Sequence, residues 1–336
     1  MTLLSLFLFS KYNQRLLIKL RVKTDFKPAW WLRSCHLQTL WPVFFNKRHK
    51  LDLYAEQVEL DDGDFIDLCW SKKEANKIVL VLHGLEGSVN SHYVNGIMYQ
   101  LEQAACRPVL MHFRGCSGRM NRLARAYHSG ETGDLAFIVE HIRKKAGVYP
   151  YATVAYSLGA NVLLKWLGET GNLNPLKKAV AVSVPFKLHD AAIRLQMGLS
   201  KIYRNYLLNS LRKKYTEKFK KILSPLNVDV NQLESFWDYD DQVTAPLHGF
   251  NGAQDYYDKS SSRQFLKNIS VPTRIIHSVD DPFMFHDTVP NKCEINGNID
   301  LLLASHGGHV GFVSGMTPLS AYSWSEKKTI EFLLEN

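Results

Sequence analysis

Short apolar runs alternate along this chain with longer stretches whose apolar positions recur every third or fourth residue, so strands and helices are expected to alternate. The first two runs, over 55–60 and 64–70, flank Asp61-Asp62-Gly63-Asp64, a turn sequence suited to an antiparallel hairpin. Six further runs, over 77–83, 108–113, 152–156, 178–184, 273–278 and 300–304, are apolar almost throughout. Continuous apolar character marks strands buried on both faces, as in a parallel sheet covered by helices. The pattern predicts an α/β fold: an eight-stranded, mostly parallel sheet with helices on both faces. The interval from 184 to 273 has helical patterns and no convincing strand, so a helical cap inserted after strand 6 is expected over 185–269. The core then comprises 26–184 and 270–336 and closes on a helix over 325–334, behind an apolar and basic leader over 1–25.

Composition narrows this picture. With 336 residues, 46% of them hydrophobic, the chain can bury a large core. Its formal charge of +9 is unevenly placed. Within 201–221, Lys201, Arg204, Arg212, Lys213, Lys214, Lys218, Lys220 and Lys221 face the single acid Glu217, with aromatic and aliphatic residues interleaved. This is an amphipathic basic helix or helix pair, read first as a solvated face of the cap and second as a contact for anionic lipid or an acidic headgroup. So local an excess, with no recognition motif, argues against a nucleic-acid partner. The apolar run at the start of the leader falls short of the ~20 residues a spanning helix needs and lacks the flanks of a secretory signal. Lys11, Arg15, Lys19, Arg21 and Lys23 follow it, which leaves weak membrane-surface contact through 1–25 as an expectation. Five scattered cysteines fit reduced thiols and a cytoplasmic setting. No metal-ligand spacing or cofactor motif is found, so neither metal nor cofactor is expected.

The chemistry concentrates where strands end. Val154-Ala155-Tyr156-Ser157-Leu158-Gly159-Ala160-Asn161 reads as a nucleophile elbow, a tight strand-to-helix turn flanked by small residues that exposes a serine to a base. Ala155 stands where such elbows usually have glycine. After the third strand, His83-Gly84-Leu85-Glu86-Gly87-Ser88 is a turn able to point an amide at a bound acyl group; the Leu85 and Leu158 amides are expected to form an oxyanion hole. His83, Gly84 and Tyr156 are candidates for substrate contact. Past the seventh strand lie Asp280 and Asp281, and past the eighth His306-Gly307-Gly308-His309-Val310-Gly311. Serine, acid and histidine thus follow in chain order at successive strand ends. Asp281, directly before Pro282, is preferred over Asp280 as the acid, with Asp190 as a weaker third. His309, after two glycines, is preferred over His306 as the base. Arg114 is read either as an anion contact or as an ion-pair partner of Glu86, Glu131 or Asp134. Residues 127–132 either line the site or cap a helix through Ser129 or Thr132, and Asp238, Asp240 and Asp241 are expected to be solvated.

Seven segments also carry a family resemblance: Cys35-His36-Leu37-Gln38-Thr39, the turn at 83–88, His112-Phe113-Arg114-Gly115-Cys116-Ser117-Gly118, Tyr127-His128-Ser129-Gly130-Glu131-Thr132, Tyr156-Ser157-Leu158-Gly159, Asp280-Asp281-Pro282-Phe283, and His306 through Phe312. In these the chain resembles the YheT-like branch of the α/β-hydrolase superfamily, bacterial proteins assigned as esterases and related to fungal medium-chain ethyl-ester synthase/esterases and animal phospholipase-type hydrolases. The resemblance implies an α/β-hydrolase fold and a serine carboxylesterase, with Ser157 as nucleophile, Asp281 as acid and His309 as base. The expected substrate is a small-molecule ester with a short- to medium-chain acyl group. The alternatives are a lysophospholipase, phospholipase or acylglycerol lipase at a membrane surface, and an inactive binding scaffold.

Overall fold

A computed structural model describes residues 24–335; of the expected leader only Thr24 and Asp25 fall within it. The eight expected strands are β1 (Leu53–Glu59), β2 (Phe65–Ser71), β3 (Lys77–Leu82), β4 (Cys106–Met111), β5 (Ala152–Tyr156), β6 (Lys178–Val182), β7 (Thr273–Ser278) and β8 (Ile299–Ala304). They form one sheet in the order β1-β2-β4-β3-β5-β6-β7-β8. The β1–β2 hairpin is antiparallel and joins β4 antiparallel, and every pairing from β4 to β8 is parallel. Leu60 accepts the Gly63 amide, with Gly63 at φ 82, and so closes the hairpin at the predicted turn.

Successive residues of a strand face opposite sides, and the two sides build separate cores. Leu80, Leu82, Ala155, Ala179 and Ala181 face one core; Val79, Val81, Val154, Tyr156 and Val182 face the other. The alanine side receives helix α4 (Leu158–Thr170), whose Ala160, Leu163, Leu164 and Leu167 are buried there. The remaining helices used below are α1 (Cys35–Phe45), α2 (His92–Gln103), α3 (Thr132–Ala146), α5 (Leu188–Arg194), α6 (Ser200–Phe219), α7 (Ala253–Ser260) and α8 (Trp324–Leu334).

Between β6 and β7 the chain is helical, and it packs over the loops that follow β3 and β4: the Ser129 amide donates to Tyr256, and Lys214 meets Glu86. The basic stretch is one helix, α6, running to Phe219. A second small sheet pairs Val313–Ser314 with Tyr322–Ser323. Two-residue strands leave no periodicity to read, so the sequence pattern misses them.

Candidate active site

Ser157 joins β5 to α4 at φ 50 and ψ −119, outside the comfortable range of an L-residue. Two close packings hold this strain. A Cβ on Gly159 would collide with the His83 carbonyl oxygen, and one on Gly84 would sit 3.1 Å from the Ser157 Cβ. The small residues around the serine are therefore required by the neighbouring strand end. Ala155, in place of glycine, turns its methyl into the core beside α4, where it is fully buried.

His309 Nε2 lies 2.9 Å from Ser157 Oγ, and Nδ1 lies 2.8 Å from Asp281 Oδ2. The second Asp281 oxygen accepts the Phe283 amide at 2.8 Å, and the Phe283 ring stacks on the imidazole with centroids 4.0 Å apart. With its carboxylate partner at Nδ1, the imidazole carries a proton there and offers Nε2 to the serine hydroxyl. Asp280 and His306 form a separate pair. His306 Nδ1 stands 3.3 Å from Asp280 Oδ2, its side chain is 51% exposed, and Asp280 accepts the Gly308 amide at 3.0 Å. Burial pushes the Asp280 carboxyl above the usual carboxylate range. Asp190 lies in the first turn of α5 and faces Lys187 at 3.7 Å.

The loop that carries His309 is clamped by residues far away in sequence. Thr39 Oγ1 accepts the His309 amide at 2.9 Å, Gln38 Oε1 accepts that of Val313 at 2.7 Å, and Ser183 Oγ accepts that of Val310 at 2.9 Å. Any side chain at Gly308 or Gly311 would strike α1, so these glycines let the helix seat itself on the histidine loop. The sequence reading missed Ser183. It stands directly after β6, at a strand's carboxyl end, and that position was its available signal.

In the turn after β3 the amides can be accounted for one by one. Gly84 donates to Tyr93 Oη at 2.9 Å, Glu86 to Tyr127 Oη at 2.9 Å and Gly87 to the Gly84 carbonyl at 3.0 Å. The Leu85 amide has no partner among the described residues. The Leu158 amide is the first of α4, one of those a helix leaves unpaired. Two neutral histidines hold the turn from behind. His83 donates from Nδ1 to the Gly84 carbonyl at 2.7 Å and accepts the Phe113 amide on Nε2 at 3.1 Å; burial pushes its pKa down to about 3. His112 likewise bridges the Val89 amide and the Asp67 carbonyl.

Two candidates for substrate contact are thereby corrected. His83 is fully buried with both ring nitrogens engaged, and Tyr156 is 1% exposed on the opposite face of the sheet from α4. The sequence placed them next to reacting groups; strand parity turns Tyr156 into the core. Gly84 stays at the site through its backbone.

Leu85 and Leu158 also open onto a cavity of about 110 Å³ beneath the cap. Its apolar wall includes Leu211, Phe219, Phe236, Val243, Leu247 and Tyr256. Polar groups interrupt it. Lys214 binds Glu86 at 2.7 Å, and Asp240, at the start of a π-helical turn, accepts Thr244 Oγ1 at 2.7 Å and Tyr257 Oη at 2.8 Å. Burial nevertheless pushes Asp240 up to about 6, so it is not the solvated acid the sequence suggested. Lys218 also turns inward: its ammonium holds Asn121 and the carbonyls of Leu123 and Arg125, and burial lowers its pKa to about 8. The basic helix is thus not simply a solvated face.

Tyr127, His128 and Ser129 line the cavity, while the cap of α3 is Glu131 rather than Ser129 or Thr132. Arg114 is buried in an ion cluster with Asp62, Asp64 and Asp134; only the last was among its expected partners. His128, Glu131 and His248 approach one another within 4.8 Å, yet they do not suit a metal ion. Glu131 is bound by Arg125, His128 Nδ1 accepts the Gly130 amide, and the nearby cations Arg125 and Lys165 oppose a further positive charge there.

Comparison with known proteins places the chain in a family. The family model described as the alpha/beta hydrolase fold matches residues 77–315. An Escherichia coli (strain K12) protein named "Putative esterase YheT" is 40% identical over 316 residues, covering 92% of this chain and 93% of its own. Phospholipase ABHD3 of Bos taurus is 28% identical over 309 residues, covering 88% and 75%. Among solved structures, the Pyrococcus furiosus esterase Pf2001 shares the fold with a TM-score of 0.54 at 16% identity, over 84% of this chain and 90% of that one. A strained serine at a strand-to-helix turn, a histidine on the loop after the last parallel strand and a match across most of the chain agree: this protein belongs to the YheT-like α/β-hydrolases.

Proposed function

We propose that this hydrolase is a serine carboxylesterase acting on short- to medium-chain acyl esters through an acyl-serine intermediate. The observation that carries the reading is the continuous line from Asp281 through His309 to Ser157, with hydrogen-bond distances of 2.8 and 2.9 Å. As Ser157 Oγ attacks the ester carbonyl carbon, His309 Nε2 takes its proton, and Asp281 stabilises the imidazolium. The negative charge that develops on the carbonyl oxygen is met by the Leu85 and Leu158 amides; losing one such donor typically costs ~2.7–4 kcal/mol in the transition state. The tetrahedral intermediate expels the alkoxide, which takes the proton from His309. Water then repeats the sequence on the acyl-serine and frees the acid. The apolar wall of the cavity beside Leu85 and Leu158 supports an acyl chain as its occupant.

The test is hydrolysis of p-nitrophenyl esters of rising acyl length by the wild-type protein and by Ser157→Ala. Turnover that peaks at one chain length and disappears in the variant is expected. No turnover, together with no labelling of Ser157 by a fluorophosphonate, would replace the enzyme reading with that of a binding scaffold.

A further inference from the structure

Helix α1 turns its apolar side to solvent. Gln38, Thr39 and Pro42 face inward and hold the histidine loop, whereas Leu37, Leu40, Val43, Phe44 and Phe45 face solvent, Phe44 at 72% exposure. Water gives such a surface no reason to persist, and large exposed apolar patches mark contact sites. The patch extends in two directions. Trp30 donates its indole N–H to the Met316 carbonyl at 2.9 Å, which brings in exposed Met316 and the fully exposed Leu319. His36 Nδ1 meets Tyr203 Oη at 3.0 Å, which sets α1 beside the cap, where Met197, Leu199, Ile202 and Tyr206 are exposed. Tyr203 packs on Phe283, and Phe283 stacks on His309, so this face adjoins the histidine side of the site. Exposed Leu173 and Leu223 elsewhere stand singly and need no such explanation.

Charge identifies the occupant. Residues 26–51 contain Lys27, Arg33, Lys47, Arg48 and Lys50 and no Asp or Glu; all five bases are exposed. Residues 191–213 contain Arg194, Lys201, Arg204, Arg212 and Lys213 and again no acid, and 305–325 contain no aspartate, glutamate, lysine or arginine at all. A second copy docking through this face by two-fold symmetry would set like charges against each other. An anionic bilayer supplies both a complementary charge and an apolar layer.

We propose that α1, the 316–319 turn and the start of α6 form a docking face for anionic phospholipid bilayers, which brings the mouth of the site to esters carried in the membrane. The face stands on its own; the nature of what it delivers rests on the esterase reading. The sequence expectation placed membrane contact on 1–25 or on 201–221; of the latter only the start belongs to this face, since Lys214 and Lys218 turn inward, and 1–23 lies outside the described residues. Among the described residues no helix is long and apolar enough to cross a membrane.

The experiment is co-sedimentation of the full chain with vesicles of phosphatidylcholine alone and of phosphatidylcholine mixed with phosphatidylglycerol. The wild type is expected to bind the mixed vesicles far better. Lys47→Glu/Arg48→Glu/Lys50→Glu should weaken that binding by at least about 100-fold, since each base near an anionic surface contributes about a factor of five. Phe44→Ser/Leu319→Ser should weaken it by at least about tenfold. Both variants should melt as the wild type does and keep its turnover of a soluble p-nitrophenyl ester. Ser157→Ala should bind vesicles normally. A wild type that ignores both vesicles, variants that bind as it does (which would assign the contact to 1–23), or self-association abolished by the same substitutions would each overturn the proposal. Intact vesicle binding without ester turnover would instead defeat only the esterase reading.

Discussion

Two acid–histidine pairs lie side by side at the carboxyl ends of β7 and β8, built from neighbouring aspartates and from histidines three residues apart. Asp281–His309 is buried, its carboxylate has two donors, and the far ring nitrogen reaches Ser157. Asp280–His306 is half open to solvent on the histidine side, its acid is spent on the Gly308 amide, and among the described residues no further group follows His306. The same residue types thus line up with a serine in one case and brace a loop in the other. The difference comes from what lies beyond the histidine and how much water reaches it, not from the pair itself.

Exchange of one acid at a time is the strongest way to break this comparison. Asp281→Asn should lose about 10⁴ in kcat, because it stabilises the wrong imidazole tautomer. His306→Ala should leave steady-state ester hydrolysis close to wild type, and equal losses in the two variants would erase the distinction. Thr39→Val deprives the buried His309 amide of its acceptor without touching the ring. It should cost about 1–3 kcal/mol in denaturant unfolding and lower kcat at unchanged KM. Asp280→Ala should show the brace for what it is: about 1 kcal/mol of stability lost at the Gly308 amide, with most of the turnover kept.

A last prediction concerns a buried acid with no histidine at all. Glu326 lies against Gly96, and burial pushes its pKa up from 4.5 to about 8. The native state therefore keeps this proton where the unfolded chain has released it, and stability falls as pH rises from about 4.5 through about 8. Glu326→Gln should flatten that fall: thermal melts should match wild type at low pH and exceed it above pH 8.

Much of this site could be read from sequence because its signals are local. Small residues around Ser157, paired glycines before His309 and an acid before Pro282 all sit within a few positions of the group they serve. The parallel strands were legible because both of their faces are apolar. What stayed hidden depends on parity or on distance. Tyr156 and Ser157 are adjacent, yet the pleat sends the tyrosine into the core. The Thr39–His309 bond spans 270 positions, so nothing near either residue announces it. Lys214, Lys218 and Asp240 resemble surface charges in composition, and only the packing of the cap on itself and over the turns after β3 and β4 shows why they turn inward.

Glu86 adopts φ 55 one residue after Leu85, and its carboxylate is gripped by Tyr127 from the core and by Lys214 from α6. The insertion is therefore not an interchangeable module resting on a finished enzyme. A chimera that replaced it with a foreign cap would also unseat the backbone at Leu85 unless the newcomer brought a cation to the place of Lys214. Retargeting this scaffold is better pursued through single exchanges along the cavity wall than by grafting.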